Sequence, residues 1–215
     1  MKSKIYLSSY RIPDIKAFCD FVGKEPQEIR FGLISNAKDH KNPIERKEKI
    51  EESIRYFSGL GLKVEEINLL DYANEIDLRK KFKEFDVLWF NGGNTYCLRY
   101  AIKRSGTDNV IREVLNEGIV YAGDSAGAIV TGPTLKYFDR ADDSTLAPEV
   151  IYEGLGLVKF TVLPHWSSPD FDEILKTIKT DLEKDGYETI TMTDRDYLLI
   201  EDGEIKIHES HLSIQ

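Results

Sequence analysis

A serine stands between two glycines at the point where an apolar segment gives way to small residues. The segment 123–127 has the form G-x-S-x-G, with Ser125 at its centre, and it follows the apolar run 119–122. This pattern is typical of a nucleophile elbow, a sharp strand-to-helix turn that projects a serine hydroxyl from a strand end. The first N–H groups and the dipole of the following helix would favour negative charge developing nearby. Ser125 is therefore the candidate nucleophile, although the same turn also suits a serine that only caps a helix.

A serine hydroxyl is a weak nucleophile near neutral pH, so Ser125 would need a neighbouring base. Three of the four histidines lie in a charged loop or near the C-terminal end, where exposure to solvent is expected: His40, His208 and His211. His165 differs because it follows a predicted strand at 158–163 and stands between a proline and a tryptophan. His165 is therefore the expected general base.

The base would in turn need a carboxylate that selects its tautomer and stabilises the imidazolium. Asp194 follows a predicted strand at 189–193, which would place it at the same sheet edge as His165 if the two strands are parallel. The chain has 38 acidic residues, and three other aspartates stay open as alternatives: Asp196, Asp139 and Asp142.

A second glycine-containing turn follows another predicted strand. Residues 90–95 read F-N-G-G-N-T and open a predicted helix, so in a parallel sheet they would lie at the same edge as Ser125. We expect the N–H groups of Gly93 and Ala126 to form an oxyanion hole. The alternative is a tight turn that is capped by Asn94 and has no role in binding.

Short β-branched runs that alternate with segments of helical period predict an α/β fold with a mostly parallel sheet. The predicted strands are 4–8, 29–35, 62–69, 86–90, 119–122, 158–163 and 189–193, followed by a hairpin about Asp202-Gly203. The predicted helices are 15–22, 43–60, 78–82, 96–104, 109–116 and 171–184. The polar segment 137–149 is predicted to be a loop that borders the site.

Composition narrows the function classes. A net charge of −9 argues against a nucleic-acid partner, which would require a basic face. The sequence has neither a secretory signal nor an apolar run long enough to span a membrane, so we expect a cytoplasmic protein.

The two cysteines, Cys19 and Cys97, form no CxxC pair, and we expect no metal or cofactor. The length of 215 residues suits one domain over residues 1–215.

Taken together, the motifs resemble the family of serine peptidases that contains aspartyl dipeptidase (dipeptidase E) and cyanophycinase. The segment 91–95 looks like the G-G-N-T motif of that family, 123–128 like its G-x-S-A-G-A elbow, and 163–165 like its catalytic histidine motif. The order and spacing agree over roughly the whole chain. The resemblance implies a three-layer sandwich similar to class I glutamine amidotransferases, with serine in place of cysteine.

The resemblance also bears on the third residue and on the substrate. The family has a glutamate at the position of Asp194, so this chain has a shorter carboxylate there. An N-terminal aspartate would need a basic group, for which Lys136 and Arg140 are candidates, and Asp124 is a candidate for binding a free amino terminus. We expect a Ser-His-Asp peptidase that hydrolyses small peptides through an acyl-enzyme. The alternatives are a hydrolase or acyltransferase acting on an ester or non-peptide amide, and a binding protein that has lost turnover.

Overall fold

Side chains along the inner strands point alternately to two apolar layers. In the strand Val87–Phe90, Val87 and Trp89 pack into one cluster, and Leu88 and Phe90 pack into another. Because successive side chains of a strand point to opposite faces, the strand is buried on both sides. The computed structural model, which describes residues 3–72 and 74–208, therefore has a sheet between two layers of helices.

The chain has nine strands in the described ranges: β1 Lys4–Ser8, β2 Arg30–Ile34, β3 Lys63–Ile67, β4 Val87–Phe90, β5 Val120–Asp124, β6 Phe160–Leu163, β7 Glu188–Thr191, β8 Tyr197–Glu201 and β9 Glu204–His208. Seven of them form the main sheet in the order β3-β2-β4-β5-β1-β8-β9. Strands β1 to β5 are mutually parallel, β8 pairs antiparallel with β1, and β9 pairs antiparallel with β8. Strands β6 and β7 pair in parallel as a separate two-stranded sheet.

The α-helices of the described ranges are α1 Ile15–Val22, α2 Pro43–Gly59, α3 Glu75–Phe82, α4 Thr95–Ser105, α5 Thr107–Asn116, α6 Ala126–Ile129 and α7 Asp172–Lys184. Helices α1 and α2 cover one face of the main sheet, where Phe18 and Phe57 join the cluster around Trp89. The other helices contribute their apolar sides to the opposite cluster. Within the described residues, no helix has the length and apolar character needed to cross a bilayer.

The predicted elements are present with small shifts at their ends, and three differences bear on the fold or the site. Helix α3 begins three residues earlier than predicted because Asn74 caps it by accepting a hydrogen bond from Asp77 N–H. Helix α6 ends after one turn at Ile129, so its dipole contributes little to stabilising negative charge near Ser125. The two strands that precede His165 and Asp194 form their own sheet because β8 occupies the position beside β1.

A carboxylate anchors the amino ends of β2 and β4. Asp86 accepts hydrogen bonds from Arg30 N–H at 2.9 Å, from the Arg30 guanidinium at 2.8 Å and from Lys24 at 3.0 Å. Burial alone would raise the pKa of Asp86, but the bonds from Arg30 and Lys24 outweigh it and lower the pKa from 3.8 to about 2. Because the folded state holds this carboxylate ionised, Asp86 stabilises the fold at neutral pH.

We expect Asp86→Asn to lower the free energy of unfolding by about 2 kcal/mol at neutral pH. The difference from wild type should shrink as the pH falls below 3.8 towards about 2, where Asp86 itself becomes protonated. Urea denaturation across this pH range measures both effects. Asp20→Asn, which removes only an exposed pair with Lys16, serves as the control. Equal stability of Asp86→Asn and wild type at neutral pH would contradict the assignment.

Candidate active site

The carboxyl ends of three neighbouring parallel strands bring the glycine-containing turns together. Ser8 of β1 lies in register with Asp124 of β5, and Phe90 of β4 lies in register with Gly123. The residues that follow these strands therefore share one sheet edge. The N–H of Ser125 donates to the Ser8 carbonyl at 3.3 Å, which fixes the elbow against β1.

The elbow has the strained backbone that its sequence predicts. Ser125 has φ of 49° and ψ of −112°, a conformation that non-glycine residues adopt only when the surroundings impose it. The glycines allow the close packing. A Cβ on Gly127 would lie 1.8 Å from the Phe90 carbonyl oxygen, and one on Gly123 would lie 2.8 Å from the Gly127 backbone. The G-x-S-x-G pattern is therefore required by backbone contacts between β4, β5 and α6.

His165 lies beside the serine. Its Nε2 is 2.9 Å from Ser125 Oγ, a distance at which the hydroxyl proton can pass to the ring. The residue follows β6 with φ of 59°, and the next N–H, that of Trp166, donates to the Met192 carbonyl after β7. The Phe171 ring stacks on the imidazole with 5.3 Å between centroids. Strand pairing and stacking together fix the position of the ring.

Asp194 completes a chain of three side chains. Its Oδ1 lies 2.6 Å from His165 Nδ1. The strands that precede the two residues, β6 and β7, are parallel, and this was the condition for Asp194 to lie at the same edge as His165. About half of the Asp194 side chain is exposed, compared with 19% of His165. Solvent therefore screens this carboxylate more than it would a buried one.

Ser9, which sequence reasoning missed, links these two residues. The fully buried Ser9 Oγ donates to Asp194 Oδ1 at 2.9 Å and accepts from the His165 N–H at 2.7 Å. Its place directly after β1 was the available signal, because the carboxyl ends of parallel strands meet at one sheet edge.

The other aspartates considered for this position have different partners. Asp196 accepts from the N–H and hydroxyl of Thr193. Asp142 accepts from the N–H and hydroxyl of Thr95 at the start of α4. These two hydrogen bonds hold the loop 137–149 next to the 91–94 turn. Asp139 lies exposed in the short helix Phe138–Arg140.

His40 and His208 contact residues other than Ser125. His40 Nδ1 is 3.2 Å from the Ala37 carbonyl, and His208 stacks on Tyr197 with 4.7 Å between ring centroids. His211 lies outside the described residues. His165 is the histidine that contacts Ser125 within the described part of the chain.

Two backbone donors beside Ser125 have no acceptor among the residues that the structure describes. The N–H of Gly92 is occupied by the Asn91 and Asp124 side chains, both at 3.0 Å. Within residues 3–72 and 74–208, by contrast, neither Gly93 N–H nor Ala126 N–H donates a hydrogen bond. Gly93 has φ of 147°, and a Cβ there would lie 2.5 Å from the Ala37 carbonyl oxygen, so this turn requires glycine.

The expectation that Asp124 binds an amino terminus is wrong. Its carboxylate is buried and accepts from Trp89 Nε1 at 2.9 Å, from Gly92 N–H at 3.0 Å and from Arg11 N–H at 3.4 Å. Burial raises the pKa of Asp124, while Lys38 and these hydrogen bonds oppose the rise. The side chain is occupied by these donors and supports the two turns.

The two cations proposed to bind an acidic substrate are also placed elsewhere. Lys136 pairs with Asp185 at 3.4 Å and Arg140 with Asp181 at 2.6 Å, both near or on α7. Arg11 and Lys38, which sequence reasoning missed, line the cleft that contains Ser125. Neither stands in a recognisable motif, and their positions depend on how separate turns fold together.

Two adjoining clefts open at this site. One of about 230 Å³ contains Ser125, His165 and Gly93, and another of about 570 Å³ contains Asp194. They share Tyr10, Arg11 and Tyr56 as lining residues. No group of three or more His, Cys, Asp or Glu side chains in the described ranges is arranged to hold a metal ion.

Comparison with known proteins identifies the family of this chain. Residues 9–208 match Peptidase family S51. An uncharacterized peptidase of Listeria monocytogenes serovar 1/2a is 36% identical over 135 residues, which cover 61% of this chain and 64% of that protein. An uncharacterized peptidase of Listeria innocua serovar 6a is 32% identical over 159 residues, covering 73% and 74%. The chain thus spans just under two thirds of the first relative and about three quarters of the second.

A solved structure supports the fold directly. The 1.5 Å crystal structure of a Listeria monocytogenes EGD-e protein, described as a candidate peptidase E, has a TM-score of 0.80 and 26% identity. The superposition covers 97% of this chain and 99% of that one. It confirms the predicted α/β class with a mostly parallel sheet flanked by helices.

Proposed function

The chain belongs to peptidase family S51 and is a serine-type peptidase, and from that premise we propose that it hydrolyses small peptides through a Ser125-His165-Asp194 triad and an acyl-enzyme. The observation that carries the proposal is the continuous path from Ser125 Oγ to His165 Nε2 at 2.9 Å and from His165 Nδ1 to Asp194 at 2.6 Å. This geometry is what a serine nucleophile, its base and an orienting carboxylate require.

Acylation is the first half of the proposed reaction. His165 Nε2 takes the proton of the Ser125 hydroxyl while Oγ attacks the substrate carbonyl carbon, and the carbonyl oxygen becomes an oxyanion. Asp194 stabilises the imidazolium through Nδ1–H. When the tetrahedral intermediate collapses, the C–N bond breaks and His165 donates its proton to the departing amine.

Deacylation reverses these roles with water as the nucleophile. His165 removes a proton from water, the hydroxide attacks the acyl carbon, and the proton returns to Ser125 Oγ as the ester bond breaks. The products are a carboxylic acid and an amine, and the enzyme regains its starting state. Every proton in this cycle passes through His165.

We assign the oxyanion to the N–H groups of Gly93 and Ala126. Both are unused donors in the described structure, and Ala126 directly follows the nucleophile. Gly92 approaches Ser125 so closely that a Cβ on it would be 3.1 Å from Ser125 Cβ, which puts the 92–94 turn beside the serine. Preorganised donors of this kind stabilise the charge that develops in the transition state.

The size of the cleft supports a small substrate. The volume of about 230 Å³ around Ser125 is below the usual range for pockets that bind drug-sized ligands. A short peptide, with its remainder in the adjoining cleft beside Asp194, fits this arrangement better than a folded protein does.

A panel of dipeptides and tripeptides, run beside short acyl esters and non-peptide amides, tests the proposed substrate class. We expect peptide hydrolysis in wild type and none in Ser125→Ala. Turnover restricted to the esters or non-peptide amides would contradict the peptidase proposal while retaining the triad. No turnover of any compound by folded wild type would favour a binding protein.

Ser9→Ala tests the link between the base and its carboxylate. We expect kcat to fall roughly tenfold with little change in KM, because the hydroxyl orients Asp194 and His165 without touching the substrate. Steady-state kinetics on the best peptide measures this, with Ser58→Ala on the exposed side of α2 as the control. An unchanged kcat would exclude a positioning role for Ser9.

A further inference from the structure

A buried lysine lies behind the proposed oxyanion hole. Lys38 ends the short helix Asn36–Lys38 after β2 and is only 8% exposed. Its Nζ donates one hydrogen bond, to the Gly92 carbonyl at 2.9 Å. Within the described ranges no carboxylate lies within ion-pair distance of this Nζ, although Asp124 and Glu52 act on its charge from farther away.

The charges that face Lys38 come from two elements. Arg46, Lys49 and Glu52 lie on α2, and Asp124 lies at the end of β5. Burial lowers the pKa of Lys38 to about 8, with Asp124 and Glu52 raising it and Lys49 and Arg46 lowering it further. The ammonium is therefore charged at neutral pH and loses its proton in mild alkali.

The Gly92 carbonyl belongs to the same peptide unit as the Gly93 N–H. The described chain has no cis peptide bond, so this carbonyl and N–H point in opposite directions across one planar unit. A cation bound at the oxygen therefore restricts the direction of the N–H and polarises it. The adjacent Asn94 N–H donates to the Ala37 carbonyl at 2.8 Å, so the turn is held by residues 37 and 38 together.

We propose that Lys38 is a positioning residue that orients and polarises the Gly92–Gly93 peptide unit so that Gly93 N–H donates to the oxyanion. This inference rests on the proposed function, since it requires Gly93 N–H to contact the transition state. Lys38 acts on the oxyanion through this peptide unit, because its Nζ donates to the Gly92 carbonyl.

Serine acylation should depend on the protonation state of Lys38. Below pH about 8, Lys38 carries the charge that polarises the peptide unit. Above it, the neutral amine retains at most an ordinary hydrogen bond to the carbonyl. The rate of serine acylation should therefore fall as the pH rises through about 8.

The second-order rate of reaction of Ser125 with a fluorophosphonate measures this step, because the phosphonyl oxygen occupies the oxyanion hole. We expect Lys38→Met to react roughly tenfold more slowly than wild type at neutral pH and to lose the decline above pH 8. Lys38→Arg should recover most of the rate and keep it in alkali, because guanidinium stays charged. Lys41→Met, which removes a lysine paired with Glu45 from the same loop, should behave as wild type.

The outcomes separate this inference from the proposed function. If wild type is labelled and Lys38→Met is labelled at the same rate with the same pH profile, the inference is overturned and the proposed function stands. No labelling of folded wild type overturns the proposed function and the inference with it. If Lys38→Met does not fold, Lys38→Arg decides: loss of the alkaline decline supports the inference, and its persistence overturns it.

Discussion

Ser125→Ala is expected to reduce peptide hydrolysis by a factor on the order of 10⁶, because it removes the nucleophile on which both half-reactions depend. The loss should appear in kcat, whereas substrate affinity should be retained. Only the hydroxyl is lost, since alanine keeps the Cβ that the elbow already accommodates at φ of 49°. The affinity of Ser125→Ala for a substrate peptide, measured by calorimetry, should therefore match that of wild type.

Thermal unfolding is the control for this variant. A melting temperature equal to that of wild type shows that the loss of turnover is chemical. Residual hydrolysis within tenfold of wild type would contradict the assignment of Ser125 as nucleophile, because no other serine contacts His165 Nε2 in the described part of the chain.

Asp194→Asn is expected to lower kcat by a factor on the order of 10³. The amide cannot accept the Nδ1–H bond as strongly and can impose the wrong tautomer on His165. The loss should be smaller than the factor of about 10⁴ for a buried triad aspartate. Half of the Asp194 side chain is exposed, so water can partly replace the carboxylate as hydrogen-bond acceptor for His165.

Asp139→Asn is the matched control, because Asp139 is exposed and lies in the loop that borders the site. It should retain wild-type kcat. Asp194→Glu, which keeps a carboxylate at this position, should retain more activity than Asp194→Asn. An Asp194→Asn variant with wild-type kcat would exclude the carboxylate from the triad.

Much of the fold follows from local patterns. Short apolar runs predicted the strands that are buried on both faces, and Asp202-Gly203 predicted the β8–β9 turn, where both residues have positive φ. The separate pairing of β6 with β7 could not be derived in this way. It depends on which strand lies beside β1, a choice made by contacts between distant parts of the chain.

The same distinction applies to the site. Ser125 and His165 stand in local motifs that define their backbone geometry, so both could be proposed from the sequence. Ser9 and Lys38 have no such motif, because their roles arise from the Asp194 carboxylate and the Gly92 carbonyl, which are far away in sequence.

The wrong expectation for Asp124 had a usable signal. Val120 and Ala122 of β5 point into the cluster around Trp89, and a period of two places Asp124 on that same face. The alternation therefore directs this carboxylate inwards, to the Trp89 indole. Its position next to the nucleophile in sequence says nothing about access to a ligand.

The most direct test of the triad is fluorophosphonate labelling followed by peptide mass spectrometry, because an activated serine displaces fluoride without the true substrate being known. We predict one modified residue, Ser125, with labelling abolished in Ser125→Ala and His165→Ala and slowed in Asp194→Asn. Wild-type protein that is folded yet unlabelled, or labelled equally without His165, would contradict the triad.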